Sequence, residues 1–323
     1  MTSSKLNIAV LMGGPSAEAE VSRASATEVA NALTKAGHKA DLVELDATTA
    51  QALLSAAPDV VFPALHGPPG EDGTVQGFLE ILGFPYVGAG VHGSAAAMDK
   101  SIAKAIFRRN GLPVADDVLI ASGTDSADAD RLIRESLGDR VVIKPLSQGS
   151  ALGVTLIANG GDLREAITAA LAFGGGVLVE SYILGLEITV GVLDLEGADA
   201  RALPVTEIRT ASDEWYDYTN RYTKGKSEHI IPAPLADELN TRLQDIALAA
   251  HQSLDLEDLS RADFIVTDAG DIVLLEVNTL PGMTPTSLYP DGARAIGMDF
   301  PELMDVLVRS ALRRAGGVAR QAT

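Results

Sequence analysis

Arg261-Ala-Asp263-Phe-Ile-Val-Thr-Asp-Ala-Gly270-Asp-Ile-Val-Leu-Leu-Glu276-Val-Asn278-Thr-Leu-Pro-Gly282-Met-Thr-Pro-Thr-Ser287-Leu288 holds two apolar runs on either side of Asp268-Ala269-Gly270-Asp271. A short polar break containing glycine between such runs predicts a β-hairpin. A loop of two or four residues centred on Ala269-Gly270 sets Asp263 opposite Glu276 and Arg261 opposite Asn278. Directly opposed side chains lie roughly 5 Å apart at Cβ. Glu276 and Asn278 are two residues apart on one strand and share a face. Two carboxylates and an amide therefore converge among Ile, Val and Leu neighbours. Burying like charges is unfavourable unless a cation joins them. Hard oxygen donors of this kind suit Mg²⁺, which also takes substrate phosphates as ligands. The competing reading is a structural salt bridge in which Arg261 neutralises the acids.

The rest of the chain sets that hairpin in context. At 323 residues it is long for one core, so two or three domains are expected. Hydrophobic residues make up 46% and charged residues 21%, an ordinary globular balance. The net charge of −19 argues against nucleic acid and anionic membranes as partners. It leaves ATP open, because local basic residues and Mg²⁺ neutralise phosphates. Cysteine is absent, which removes disulfides and thiol chemistry and fits a reducing cytosol. Residues 1–5 lead straight into a strand without a signal-peptide pattern, and no apolar stretch reaches spanning length. The expected location is cytoplasmic.

Residues 6–12 read as a strand, Gly13-Gly14-Pro15 as a turn, and the following Ala-rich stretch as a helix to Ala36, stopped by Gly37. Strands at 40–45 and 59–65 enclose a helix at 49–56, and a further helix is expected at 74–82. Strand–helix–strand repeats at this spacing imply an open parallel α/β sheet in a first domain, 1–97. A second unit, 98–184, reads as α+β: helices at 100–109, 126–137 and 162–173, and strands at 117–120, 141–144, 154–158 and 176–180. A third, 185–323, has strands at 187–193 and 202–209, a polar loop at 212–228, a helix at 235–254, the hairpin, and a last helix at 301–314.

Five constellations carry chemistry. Ser147-Gln-Gly149-Ser150-Ala-Leu-Gly153 offers glycine-freed N–H groups to an anion but lacks the Gly-Lys-Ser/Thr ending of a P-loop, and alone is commonly just a connection. Lys144, closing the apolar run Val141-Val-Ile, is a phosphate point charge or a solvent-seeking lysine, and Lys100 is a second candidate clamp. Glu180 and Glu187 flank a domain junction, where they could accept from an adenine amino group and a ribose hydroxyl; the plain alternative is two solvated glutamates. His66-Gly-Pro-Pro-Gly70-Glu71-Asp72-Gly73 and Gly13-Gly14-Pro15-Ser16-Ala17-Glu18 each follow a strand, so both loops should face one cleft. Glu18 could hold a substrate ammonium or favour a helix N-terminus. Finally, residues 215–224 crowd the single tryptophan and three of the six tyrosines into a polar segment, which suggests a lid.

In order and spacing these motifs resemble the D-alanine–D-alanine ligase family of ATP-grasp carboxylate–amine ligases. The likeness runs from Gly13-Gly14-Pro-Ser-Ala-Glu18 through His66-Gly, Met98-Asp-Lys100, Ile143-Lys144-Pro145, Gly149-Ser150, Tyr216-Asp-Tyr218, Arg221-Tyr222 and Arg261-Ala-Asp263 to Glu276-Val-Asn278-Thr-Leu-Pro-Gly282-Met-Thr. It implies an ATP-grasp fold: an N-terminal open parallel α/β sheet domain followed by two α+β ATP-grasp subdomains. It also implies an enzyme that joins two D-alanines through an acyl phosphate, for peptidoglycan precursor synthesis, as a homodimer. By similarity, Glu18 anchors the first ammonium with His66 nearby. Arg261 and the Gly282 N–H stabilise the oxyanion, and Ser287 and Leu288 hold the second carboxylate. Asp263, Glu276 and Asn278 bind two Mg²⁺ or Mn²⁺ across the phosphates. Lys100, Lys144 and Arg221 offset phosphate charge, Glu180, Ile183 and Glu187 hold adenosine, and Trp215 lies near the base. Tyr222, Ser150 and Glu18 form a latch that closes the lid.

The chain departs from the family pattern at four places. Ala19 replaces an arginine, Ala151 a second serine, and Pro68-Pro69 stiffen the loop after His66. Arg221 stands where lysine is usual, and the two are not equivalent at phosphate. Tyr222 fits the D-alanine-adding members, whereas relatives that add D-lactate or D-serine differ in this loop. His229 could be mistaken for a lid histidine, but Ser-Glu-His-Ile-Ile-Pro reads as the start of a strand. The alternatives are another acceptor on the same fold and a nucleotide-binding ATP-grasp module without turnover. A dinucleotide-dependent oxidoreductase is disfavoured, because Gly13-Gly14-Pro15 lacks the Gly-x-Gly-x-x-Gly spacing.

Overall fold

The computed structural model describes residues 4–146, 149, 152–210, 225–284 and 286–321, with side chains to 316. β1 (Asn7–Met12), α1 (Ala19–Lys35), β2 (Lys39–Glu44), α2 (Thr49–Ala56), β3 (Val60–Pro63), α3 (Thr74–Leu82) and α4 (Val91–Met98) come first. Then follow α5 (Lys100–Arg109), β4 (Asp117–Ile120), α6 (Ser126–Leu137), β5 (Val141–Pro145), β6 (Thr155–Ile157), α7 (Leu163–Leu171) and β7 (Val177–Ser181). The remainder is β8 (Leu186–Asp194), β9 (Arg201–Ala202), β10 (Thr206–Thr210), β11 (Ser227–Ile230), α8 (Asp237–Ser253), β12 (Asp258–Val266), β13 (Ile272–Asn278), α9 (Leu288–Ala295) and α10 (Phe300–Gln321).

The first sheet is parallel, in the order β2-β1-β3, as strand–helix alternation predicted. One of its faces packs on α1 and α10: Val10, Leu33 and Phe62 share a core with Leu303 and Leu307. His38 helps fix α10 there. The Leu6 N–H can only donate, so His38 Nδ1 accepts it at 3.1 Å and Nε2 gives its proton to Asp305 at 2.7 Å. The second sheet is antiparallel, β4-β7-β5-β6, and α6 and α7 cover one face through Ile133 and Ile167 against Val141, Ile143 and Val179. Asp99 and Asp125 start α5 and α6 by accepting backbone N–H groups of the first turn.

The third sheet runs β11-β10-β8-β12-β13, all antiparallel, with β9 beside β8. Residues 202–209 were expected as one strand but divide between β9 and β10, with Pro204 in the gap. Proline has no N–H to give a ladder, so the pairing breaks there. His229 lies within β11, matching the strand reading. The helix α9 has no counterpart among the sequence expectations, which left residues 288–295 unassigned. Pro290 falls in the first turn, where its missing N–H costs no intrahelical bond.

The hairpin β12–β13 holds the expected pairs, Arg261↔Asn278 and Asp263↔Glu276, but reaches them by another route. The last pair before the turn is Val266↔Ile272, so the loop has an odd length and is centred on Ala269. A bulge between Asp263 and Phe264 then shifts the register by one. It restores the alignment that an even loop would have given, and a bulge beside a site is a common way of re-aiming side chains.

Gly185 leads into β8 where the chain passes over the end of β12. A Cβ there would lie 2.3 Å from the Val266 carbonyl oxygen, which is backbone and cannot swing aside. Gly185→Ala should cost about 1–3 kcal/mol, the usual range for overpacking. A lowered midpoint of urea unfolding checks it, and an unchanged midpoint would contradict the close contact.

Candidate active site

The second and third sheets enclose a cleft of about 590 Å³. Its walls are apolar, with Val142, Leu156, Ile188 and Phe264 among them. Charged groups enter from several elements: Lys100 from α5, Lys144 from β5, Glu180 from β7, Glu187 from β8, Asp263 from β12 and Glu276 from β13. Ile183 sits in the connection from β7 to β8 and also lines the cleft. Seven residues assigned to nucleotide or metal from sequence thus meet in one place. An apolar slot with a few converging polar groups is the usual form of a small-molecule site.

Asp263 is buried at the floor. Arg261 donates to it twice, Nε to Oδ1 at 2.9 Å and Nη2 to Oδ2 at 2.8 Å. Thr189 Oγ1 donates to Oδ1 at 2.6 Å and Asn278 Nδ2 to Oδ2 at 3.0 Å. The salt bridge weighed from sequence is therefore present, and it is bidentate, the stronger form. Glu276 is more open, and Lys100 Nζ stands 3.8 Å from its Oε2. The donor set nonetheless fits a divalent cation. Two hard carboxylates share the floor, and Asn278, having given its NH₂ to Asp263, keeps its oxygen for other partners. Arg261 and Lys100 are the protein cations that balance the acids.

Glu180 is fully buried at the other end of the charged row. Lys104 donates to its Oε1 and Lys144 pairs with its Oε2. Burial raises the Glu180 carboxyl, yet Lys144 and Lys104 outweigh that and hold it down at about 2. The plain reading of two solvated glutamates fails for Glu180. Lys104 escaped the sequence reading, which gave only the helix at 100–109 that contains it.

The loops after β1 and β3 bring a second set of groups to the floor. Glu18 is buried between two glycines: a Cβ on Gly67 would lie 3.0 Å and one on Gly149 3.1 Å from its Oε2. His66 is buried with Nε2 3.2 Å from Ser25 Oγ. Burial and then the Arg261 charge lower its pKa to about 4, so it is neutral at pH 7. Glu71 accepts the Gly67 N–H at 2.5 Å. Burial, reinforced by the Glu18 and Glu276 charges and opposed by the Gly67 N–H and Arg261, raises its carboxyl to about 8. Glu71 thus couples the loop after β3 to the hairpin. Sequence reading quoted it within a motif and gave it no role.

These two groups contribute pH dependences of opposite sign. Between pH 4.5 and 8 the folded chain keeps a proton on Glu71 that the unfolded chain has released. Its contribution is complete below pH 4.5 and is lost as pH rises to 8. Between pH 4 and 6.5 the unfolded chain protonates His66 and the folded chain does not, so that contribution is complete above 6.5 and lost as pH falls to 4. The two oppose each other in weak acid, and of this pair Glu71 is the one that acts from pH 6.5 to 8. Glu71→Gln should flatten the decline of the unfolding midpoint over that upper window. Parallel profiles for the two proteins would rule out the raised Glu71.

Ser287 stands at the N-cap position of α9, its Oγ turned to Thr284 Oγ1 at 2.8 Å rather than to a first-turn N–H, and a Cβ on Gly282 would lie 3.2 Å from that same Oγ. Leu288 packs on Ile208. Ser150, Trp215, Arg221 and Tyr222, with Ala151, lie outside the described residues. His229 pairs with Asp291 on α9 at 2.7 Å. A Ser260–His251–Asp194 chain, at 2.8 and 3.3 Å, has the connectivity of a nucleophilic triad, but Ser260 is fully buried and no substrate reaches it. Among the described residues no helix is long and apolar enough to cross a membrane.

The fold and the cleft define an ATP-grasp ligase. The solved D-alanine–D-alanine ligase of Bacillus anthracis, in complex with ATP, superposes with a TM-score of 0.82 at 33% identity, covering 97% of this chain and 99% of that one. The enzyme of Coxiella burnetii gives 0.82 at 26% identity, over 99% and 97%. Residues 106–309 match the D-ala D-ala ligase C-terminus family and residues 46–89 the D-ala D-ala ligase N-terminus family. The D-alanine–D-alanine ligase of Halalkalibacterium halodurans is 43% identical over 96% of this chain and 100% of its own length. That of Acidiphilium cryptum is 45% identical over 95% and 99%. The chain belongs to the D-alanine–D-alanine ligase family.

Proposed function

We propose that this protein joins two D-alanine molecules, driven by ATP cleavage to ADP and phosphate, and so supplies D-alanyl-D-alanine for peptidoglycan. The observation that carries the reading is the meeting of two groups at one floor. Glu18, His66 and Glu71 come from the loops after β1 and β3, and Arg261, Asp263 and Glu276 come from the hairpin. ATP fits the apolar cleft, with Ile183 and Glu180 toward adenine, Glu187 toward ribose, and Lys100 and Lys144 toward the phosphates. Trp215 and Arg221 complete that site in the same proposal. The carboxylate of the first D-alanine attacks the γ-phosphorus, ADP leaves, and an acyl phosphate forms. The amine of the second D-alanine, having lost its ammonium proton, attacks the acyl carbon, and phosphate leaves.

Glu18 holds the first ammonium, and neutral His66 adds no repulsion to it. Arg261 and the Gly282 N–H face the oxyanion, and Ser287 and Leu288 hold the second carboxylate. Ser150 and Tyr222 serve with Glu18 as the lid latch, excluding water from the acyl phosphate. Two divalent cations, Mg²⁺ or Mn²⁺, would be held by Asp263, Glu276 and Asn278 and would neutralise phosphate charge. The proposed enzyme is a cytoplasmic homodimer, a state that sedimentation of the purified protein checks.

The test is D-alanine-dependent phosphate release from ATP with Mg²⁺, together with recovery of the dipeptide. ATP hydrolysis without dipeptide would end the proposal. Competition among D-alanine, D-serine and D-lactate, compared as kcat/KM, separates the acceptors.

A further inference from the structure

Glu180 carries a lysine on each of its carboxylate oxygens, and the two lysines differ in one respect. Lys144 lines the cleft. Lys104 lies behind Glu180 on α5, its side chain 1% exposed and its Nζ also 3.7 Å from Asp117 Oδ1. No ligand in the cleft can touch it. The proposed function gives Lys144 work at the nucleotide phosphates, and the present inference rests on that reading. Turning Lys144 toward phosphate weakens its pairing with a buried carboxylate, which is costly when no second cation stays behind.

We propose that Lys104 is a positioning residue: a standing counter-ion for Glu180 that lets Lys144 exchange its carboxylate partner for the nucleotide phosphates. On this account the nucleotide enters by ion-pair exchange. Before binding, Glu180 has two cations. After binding, Lys104 keeps Glu180 ionised and aimed at the base, while Lys144 serves the phosphates. The low Glu180 pKa agrees with a carboxylate that stays charged throughout. Without Lys104, Lys144 would be the last cation on a buried charge and would resist leaving it.

The consequence is a split between ligands with and without phosphate. Adenosine needs no movement of Lys144, whereas ADP does. Calorimetric affinities for ADP and adenosine should therefore respond differently to Lys104→Met: ADP binding weakens about tenfold or more, and adenosine binding less than about threefold. Equal weakening of both, as expected of a residue that only supports the pocket, would overturn the inference, and so would no weakening. Lys144→Met tests the underlying reading separately. If it leaves the ADP-to-adenosine ratio unchanged, Lys144 does not serve phosphate and the site assignment itself is at fault. A crystal structure of the unaltered protein with ADP gives an answer that does not depend on how the variant folds. Lys104 should remain on Glu180 and Lys144 should be on a phosphate oxygen; Lys144 still on Glu180, or Lys104 displaced, would overturn the proposal.

Discussion

Replacing Arg261 by alanine should lower kcat about 100- to 1000-fold while the affinity for ATP changes little. The magnitude is that of one lost oxyanion donor in a water-excluded site, about 3–4 kcal/mol. The selectivity follows from position: Arg261 is held against Asp263 at the floor, whereas the side of the cleft proposed to take adenine is built from β5, β7 and β8. A loss felt in kcat but hardly in ATP binding is the signature of a contact made mainly in the transition state. The variant also leaves Asp263 without its bidentate partner, so a loss of stability should accompany the loss of rate. Arg261→Lys separates the two effects, because it keeps the charge near Asp263 and loses the planar fork. It should recover most of the stability and only part of the rate. A nucleotide-binding module without turnover predicts instead that Arg261→Ala changes nothing measurable beyond stability.

Most of the chemistry-bearing geometry was legible because it depends on side-chain period and on strand ends. Asp263, Glu276, Arg261 and Asn278 could be paired from spacing alone, since residues two apart on a strand share a face. The bulge that delivers this pairing was not legible. Whether a residue bulges depends on how both strands pack on their neighbours, and an even loop and an odd loop plus bulge give the same alignment. Pro204 could have signalled the break between β9 and β10, for its missing N–H is a local fact. Pro290 is the converse case, because the same missing N–H is harmless in a first helical turn.

Glu71 and Lys104 mark a deeper limit. Each is an ordinary charged residue in sequence, and each acquires its character only from distant neighbours. The charges that raise Glu71 belong to Glu18 and Glu276, and the partner that defines Lys104 is Glu180. Burial and charge couplings of that kind arise between elements far apart in sequence, and no local pattern encodes them.

Glu276→Gln should reduce ligase activity about 100-fold or more and raise the Mg²⁺ concentration needed for half-maximal rate. The argument starts from the unequal state of the two acids. Asp263 already accepts hydrogen bonds from Arg261, Thr189 and Asn278, while Glu276 has a lysine 3.8 Å away and a more exposed carboxylate. Glu276 is therefore the acid better placed to receive a cation that arrives with the nucleotide. Glutamine keeps its shape and one oxygen but loses the charge. Losing even a residue that only supports a metal ligand commonly costs 10- to 100-fold, so a direct ligand should cost at least the upper figure. Lys100 sharpens the expectation: once Glu276 is neutral, its pull on Lys100 is gone and the lysine can still serve phosphate. ATP binding should then fall much less than the rate does. Chelation of divalent ions should abolish activity in the unaltered protein, with Mg²⁺ or Mn²⁺ restoring it. An enzyme that keeps its rate under chelation, or a Glu276→Gln variant with an unchanged Mg²⁺ requirement, would show that this carboxylate does not hold the metal.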